Sequence, residues 1–467
     1  MQGVLDTPVV SGGAREDRDA RLRQAIQRAR RSAFYANHLG GCELESADDL
    51  PRLPLTHRHH LSAAGTTGML AVPAARAWHY HESSGTTGEP LSTWCGLTEV
   101  ELLADMLREL VPELSDETIL LNRFPLFAPA AFIFEQALQQ VHGCHVAAGN
   151  MTWDVPFRRA LGFIKRLGVT ALACLPLEPM LLAEIAEDEG LDLRAESQSL
   201  KVIFCGGAVL VPALRRIIER DWGARVVELY GSNEVMGLGL GCARGRLHLC
   251  SHMLEIEVLD AAGRAPVPVG EPGVLTVTSL VHEVMPLVRY FTGDLVRLDP
   301  TPCPCGDPRP TAVVLGRLEE VIELGGSSVL PYDVLDAAYE FADALGTRFF
   351  FVIVRNAGFH VRIEASPTAA AVPAAEAALR RQLPGQVTIE YLARNEVLDR
   401  SALVRTPKIY KPSLVCDWRK QPRKSLTIME SLLEWPHFDF RTLLGIVARE
   451  VRNGFRRRRL AREDTGT

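Results

Sequence analysis

The chain has 467 residues, 47% of them hydrophobic and 23% charged, with a formal charge of −6 at pH 7. This is the composition of an ordinary globular protein, long enough for about two to four domains. Mild acidity argues against nucleic acid as a partner over the whole surface, and no apolar run reaches the roughly 18 residues that suggest a transmembrane segment.

In chain order, the N-terminal stretch MQGVLDTPVVSGGARED lacks a basic start followed by an apolar core, so no signal peptide is read and a cytoplasmic location is expected. Residues 15–65 read as polar and helical, ending in LPRLPLTHRHHL. Residues 96–190 alternate apolar helical stretches with short strand-like runs such as CHVAAG and VTALACLP. KVIFC and RVVELY read as buried strands separated by the helix PALRRIIERDWG. That alternation predicts an α/β layer with a parallel sheet. Between 250 and 300, LEIEVLD, GVLTVTSL and DLVRLD predict a β subdomain. After Arg317, the pattern strand, strand, helix, strand predicts a small α+β domain of about 100 residues. The last 50 residues flank an apolar segment with basic patches, RKQPRK and RRRR, and read as a basic, helical extension.

Several stretches within this frame carry chemistry. Ser83-Ser84-Gly85-Thr86-Thr87-Gly88-Glu89-Pro90 packs hydroxyls and glycines into one turn. Such a turn aims backbone N–H groups and hydroxyls at an anion, although a flexible linker has the same composition. It is not a Walker A loop, because no Gly-Lys-Ser/Thr follows. Cys205-Gly206-Gly207-Ala208 and Tyr230-Gly231-Ser232-Asn233-Glu234 each follow a predicted strand. Small residues at a strand's carboxyl end let a planar base pack on backbone, and a carboxylate suits a hard cation held between phosphates. Arg289-Tyr290-Phe291-Thr292-Gly293-Asp294-Leu295 and Gly316-Arg317-Leu318-Glu319-Glu320 come next, then Val404-Arg405-Thr406-Pro407-Lys408-Ile409-Tyr410-Lys411-Pro412.

Together and in this order, these motifs resemble the adenylate-forming superfamily, and within it the phenylacetate–CoA ligase-like branch, over roughly residues 20–417. The resemblance implies an α/β fold: a large multi-subdomain adenylation domain at 1–317 with parallel sheets and a β subdomain, a small mobile α+β domain at 318–417, and the extension at 418–467. It implies that Ser83, Ser84, Gly85, Thr86, Thr87 and Gly88 grip the β,γ-phosphates of ATP. Gly206, Gly207 and Ala208 would then take adenine, with Tyr230 stacked on it and Gly231, Ser232 and Asn233 in the same turn. Glu234 would hold Mg²⁺, Asp294 the ribose hydroxyls, and Arg317 would reach the ribose. Glu319 stands at the family's hinge. Asn233 replaces the family's Thr or Ser, and Glu319 its Asp or Lys. The catalytic lysine of the pattern Arg-Thr, then Gly-Lys, falls on Lys411 by spacing, with Lys408 as the alternative.

By the same resemblance, the acid pocket lies between a helix at 124–135 and segments 206–209 and 236–240. Phe127, Phe132, Phe134, Met236 and Gly237 would line it and favour an aryl or arylalkyl acid; the phenylalanines equally suit a core. The expected reaction joins a carboxylic acid to ATP as an acyl-adenylate with release of pyrophosphate, then passes the acyl group to the thiol of CoA. An amine acceptor, a carrier-protein phosphopantetheine and a non-catalytic nucleotide-binding scaffold are the alternatives, and a homodimer is left open. The basic extension suits an acidic carrier protein.

Ten cysteines are present, most in apolar runs that suit buried thiols. Cys303-Pro304-Cys305 is different. With Cys242 and His248, which flank the glycine-rich hairpin GCARGRLHLC, it gives a Cys₃His set for a structural Zn²⁺, and Cys250 is a substitute for one member. Members of the branch that carry a zinc beside the nucleotide site support the same expectation.

Overall fold

The computed structural model describes residues 12–82, 91–125, 128–149, 155–398 and 414–420, and the statements below concern those residues. Three helices open the chain: α1 (Gly12–Ala29), α2 (Ala33–His38) and α3 (Arg58–Ala64). Just before α3, Thr56 bridges in parallel to Tyr290, more than two hundred residues on, so the N-terminal segment is tied to the far part of the fold. The antiparallel hairpin β1 (His79–Glu82) and β2 (Ser92–Cys95) then brackets residues 83–90.

Helix and strand alternate next: α4 (Leu97–Leu110), β3 (Ile119–Asn122), α5 (Ala130–Val141), β4 (Cys144–Ala147), α6 (Phe157–Leu167), β5 (Ala171–Cys174), α7 (Leu177–Asp188), α8 (Leu193–Glu196), β6 (Val202–Gly206), α9 (Pro212–Trp222) and β7 (Arg225–Tyr230). The strands pair in parallel in the order β7-β6-β5-β3-β4. Every residue of β5 and β6 is buried, as expected for strands covered by helices on both faces. α9 starts at Pro212 and stops at Gly223, which takes a left-handed conformation. Proline fits the first helical turn and glycine the position after the last, so the sequence marks both ends.

The expected β subdomain is not a separate sheet. β8 (Gly239–Gly241) pairs antiparallel with β7, and β9 (Leu247–Leu249), β10 (Leu254–Leu259), β11 (Pro272–Ser279), β12 (Tyr290–Leu298) and β13 (Thr311–Arg317) follow. One eleven-stranded sheet results, in the order β10-β11-β12-β13-β9-β8-β7-β6-β5-β3-β4.

A 3₁₀ turn at Leu318–Glu320 leads into the hairpin β14 (Ile322–Leu324) and β15 (Ser327–Val329). The C-terminal α+β unit contains α10 (Pro331–Ala344), β16 (Phe350–Arg355), β17 (Gly358–Glu364), α11 (Val372–Gln382), β18 (Gln386–Leu392) and β19 (Val415–Asp417). Its sheet runs β18-β17-β16-β19. Its apolar side shares one hydrophobic cluster with α6, α7 and α9 of the preceding layer. α9 and α10 lie side by side. Asp336 accepts from the Ala213 N–H (2.8 Å), capping a helix whose own N-cap residue is Val211, and Arg216 meets Glu340 (3.1 Å) one turn on. Arg220 pairs with Asp343 a turn further.

Candidate active site

β7 delivers Tyr230 to its carboxyl end, and the β12–β13 register sets Asp294 opposite Arg317. The three side chains meet. Tyr230 donates its hydroxyl to Asp294 Oδ2 (2.9 Å), and Arg317 Nη1 donates to Oδ1 (2.7 Å). Burial pushes the Asp294 carboxyl up, while Arg317 and Tyr230 pull it down. Burial, and then Asp294, push the Tyr230 phenol far up, so it stays a donor.

Beside Tyr230, the parallel neighbour β6 ends in Gly206, followed by Gly207 and Ala208, both exposed. A β-carbon on Gly206 would fall 2.8 Å from the Leu229 carbonyl oxygen, so only glycine lets β6 and β7 approach this closely. The turn after Tyr230 is closed tightly. The Met236 N–H reaches Ser232 O (2.8 Å), the Val235 N–H reaches Ser232 Oγ (3.2 Å), and the Leu238 N–H reaches Tyr230 O (2.8 Å). A β-carbon on Gly231 would lie 2.0 Å from Met236 O. Asn233 Nδ2 donates to Glu82 O (2.9 Å), tying this turn to the strand that enters residues 83–90.

Glu234 is buried and pairs with Arg58 Nη1 (2.5 Å) at the start of α3. Sequence reasoning missed Arg58. It stands 176 positions from Glu234, and tertiary ties such as the bridge of Thr56 to Tyr290 bring it over the turn. Lys420 was missed in the same way: its Nζ donates to the carbonyls of Glu319 (2.7 Å) and Val321 (3.2 Å), from the turn that follows β19.

The expected pocket helix begins at Ala130 rather than 124. Pro125 and Pro129 disfavour helical backbone at the residues before them, which delays the start. Phe132 is half-buried with its ring 4.0 Å from His79 and 5.7 Å from His81, on the β1 side. Phe134 instead packs into the core against Phe124 and Phe204 (centroids 6.2 and 4.8 Å). Met236 is buried with a positive φ of 67°, and Gly237 sits against Leu103 of α4. Residues 83–88, Phe127, Lys408 and Lys411 lie outside the described residues.

A second cluster forms at the other end of β8. Ligand atoms of Cys242, His248, Cys303 and Cys305 all lie within 4.8 Å of one another. Cys242 Sγ is 3.7 Å from Cys303 Sγ, and Cys305 Sγ is 3.3 Å from His248 Nε2. A tetrahedral zinc with bonds of about 2.3 Å to sulfur and about 2.0 Å to nitrogen sets such pairs roughly 3.8 and 3.5 Å apart, so the donor set fits. His248 Nδ1 donates to Arg309 O (3.0 Å), which leaves Nε2 with its lone pair toward the cluster. The Arg244 and Asp307 N–H groups donate to Cys242 Sγ (3.4 Å) and Cys305 Sγ (3.5 Å). Cys250 does not take part: its Sγ faces Met106 Sδ (3.6 Å), and burial pushes its thiol up to about 12.

The sequence profile of the AMP-binding enzymes matches residues 83–285, the stretch that contains the phosphate-loop, adenine and Glu234 motifs. The phenylacetate–coenzyme A ligases of Thermus thermophilus and Pseudomonas putida are 28% and 26% identical over 296 and 338 residues. The chain is thus similar to the AMP-binding enzymes and to the phenylacetate–CoA ligases. These alignments take in 62% and 67% of this chain and span 65% and 73% of the two relatives. A crystal structure of 2-hydroxyisobutyryl-CoA ligase in the postadenylation state shares the fold, with a TM-score of 0.75 at 20% identity, covering 88% of this chain and 91% of that one. Within the adenylate-forming fold, Gly206, Tyr230, Asp294 and Arg317 converge where the parallel half of the sheet meets its antiparallel half.

Proposed function

We propose that this protein is an AMP-forming acid–CoA ligase that activates an aryl or arylalkyl carboxylic acid. The observation that carries the reading is the Tyr230–Asp294–Arg317 network at the carboxyl end of β7, beside the open Gly207-Ala208 shelf. Adenine packs on that shelf against Tyr230, Asp294 accepts from the ribose hydroxyls, and Arg317 steadies the ribose side. Residues 83–88 hold the outer phosphates. Glu234 supplies a carboxylate oxygen for Mg²⁺, which neutralises phosphate charge when bound.

The substrate carboxylate attacks the α-phosphorus, the bond to the β-phosphate breaks, and pyrophosphate leaves. Lys411, or Lys408 in its place, offsets charge developing on the oxygens in flight. The C-terminal unit then turns about Glu319. The thiolate of CoA attacks the acyl carbon and AMP departs with the bonding pair. The phenylacetate–CoA ligase relatives favour CoA over an amine or a carrier protein as acceptor. Cys242, His248, Cys303 and Cys305 hold a structural Zn²⁺, which contributes to folding rather than chemistry.

Acid-dependent ATP–pyrophosphate exchange across a panel of aryl acids, followed by addition of CoA, tests the reading. Exchange is expected with at least one acid, and Lys411→Ala is expected to lower it about 100-fold or more. No exchange with any acid refutes the function. Unchanged exchange in both Lys411→Ala and Lys408→Ala refutes the lysine role alone.

A further inference from the structure

Three hydrogen-bond acceptors are buried without a donor next to Val235, one residue past Glu234. Two are the carboxylate oxygens of Glu99, which is 1% exposed. The third is Nδ1 of His282, 4% exposed. Val235 O sits 3.3 Å from His282 Nε2, and a carbonyl only accepts. Nε2 therefore carries the proton, and in a neutral ring Nδ1 keeps a lone pair. Burial lowers the affinity of this imidazole for a second proton.

Helix register places Glu99 at the same spot. Glu99, Leu103 and Met106 form one stripe of α4, spaced four and three residues apart. Met106 meets Cys250, whose N–H bonds to Leu238 O, and Leu103 meets Gly237. One turn further toward the helix start stands Glu99, close enough to act on His282, whose ring meets Val235 O. Its charge acts on both His282 and Cys95.

Glu99 is the third residue of α4, where a glutamate often reaches back to cap the helix. Here the N-cap is Gly96, and no side-chain capping bond forms. A β-carbon on Gly96 would fall 2.5 Å from Glu99 Oε2, so only glycine lets the carboxylate lie this close to the start of the helix. Arg28, a cation within its field, gives Nη2 to Leu280 O and makes no hydrogen bond to Glu99.

Buried acceptors of this kind are costly unless a donor meets them. We infer that Glu99 and His282 select an acid that carries a hydrogen-bond donor, a hydroxyl or an amino group, on its aryl or alkyl body. This rests on the proposed adenylation and on segment 236–240 as a wall of the acid pocket. A pocket built around buried acceptors rejects the analogue that lacks the donor more strongly than an apolar pocket rejects a missing methylene.

The test uses non-hydrolysable aroyl-sulfamoyl-adenosines in matched pairs, with and without a ring hydroxyl or amine at each position, and reads affinity by calorimetry on the full chain. The unmutated protein is expected to bind one donor-bearing analogue about 30-fold or more tighter than its bare partner. Glu99→Gln is expected to cut that ratio about tenfold, because a neutral amide oxygen is a weaker acceptor than a carboxylate. A ratio near one at every ring position in the unmutated protein overturns the inference, as does a ratio that survives Glu99→Gln. If no analogue binds at all, the adenylation reading fails and the inference with it; binding without preference sinks the inference alone.

Discussion

Arg348 is the best single handle on how the C-terminal unit is held. Its Nε reaches Asp221 (2.7 Å), and its Nη1 reaches Glu184 (3.0 Å) and Glu187 (2.8 Å), all on α7 or α9 of the preceding layer. The side chains of Glu184 and Asp221 are 4% and 9% exposed, whereas Glu187 is 57% exposed and adds little. Arg348→Met keeps the apolar stem and removes the charge. Breaking a buried pair by deleting one partner typically costs about 3–5 kcal/mol. Two neighbours soften the loss: Arg394 stays 3.7 Å from Glu184, and Arg220 stays 3.0 Å from Asp221. The expected cost is therefore about 2–3 kcal/mol, or roughly 30- to 150-fold in the docking equilibrium. Hydrogen exchange should report it as faster exchange of α10 amides, with those of β3 and β5 unchanged. Adding Glu184→Gln to Arg348→Met should restore part of the loss, because one of the three carboxylates that faced Arg348 is then neutral. A change below about 0.5 kcal/mol in the single variant would refute the reasoning, since that is the effect of an ordinary surface substitution.

Two further outcomes follow from the site. Protein purified without chelator should carry about one equivalent of zinc by elemental analysis, consistent with a single four-ligand set; Cys303→Ser should lose it together with thermal stability, and Cys250→Ala should retain it, so metal lost from both variants or neither would contradict the ligand set. Gly231→Ala should be the more damaging of two glycine substitutions, because its β-carbon meets a backbone oxygen at 2.0 Å, while that of Gly237→Ala meets the flexible end of Leu103 at 2.2 Å; overpacking of this kind costs about 1–3 kcal/mol, and denaturant midpoints that rank the two in the opposite order would show that the 231–236 turn yields more readily than its hydrogen bonds imply.

The parts of this chain that were legible in its sequence are those where local chemistry and global position agree. The runs VIFC and RVVELY are rich in apolar and β-branched residues, and both become interior strands of the eleven-stranded sheet. The Pro212 start and Gly223 stop of α9 are local signals too. What escaped were partners chosen by tertiary packing. Nothing local to Arg58 announces Glu234, and nothing near Val211 announces that Asp336, more than a hundred residues away, caps α9. The junction of the two sheet halves escaped for a different reason. β8 is three residues long and reads GLG, too short and too glycine-rich to announce a strand, yet it joins the β subdomain to the parallel sheet.

That junction also connects the Cys/His cluster with the Asp294–Arg317 pair. Cys242 directly follows β8, His248 lies in β9, and Cys303 with Cys305 lies in the connection from β12 to β13. β9 pairs with β13 through His248 opposite Thr311, and β13 carries Arg317 at its far end, opposite Asp294 of β12. A metal held by these four residues would cross-link the β8–β9 turn to the β12–β13 connection at one end of the strands whose other end sets the Asp294–Arg317 pair. Its influence on nucleotide binding would then travel through strand register rather than through contact. Register is sensitive in that way, because a slip of one residue turns every side chain of a strand to the opposite face. With a metal bound, the position of Asp294 relative to Tyr230 would then depend on two constraints far apart in sequence: the 231–238 turn on one side, and the Cys₃His cluster on the other.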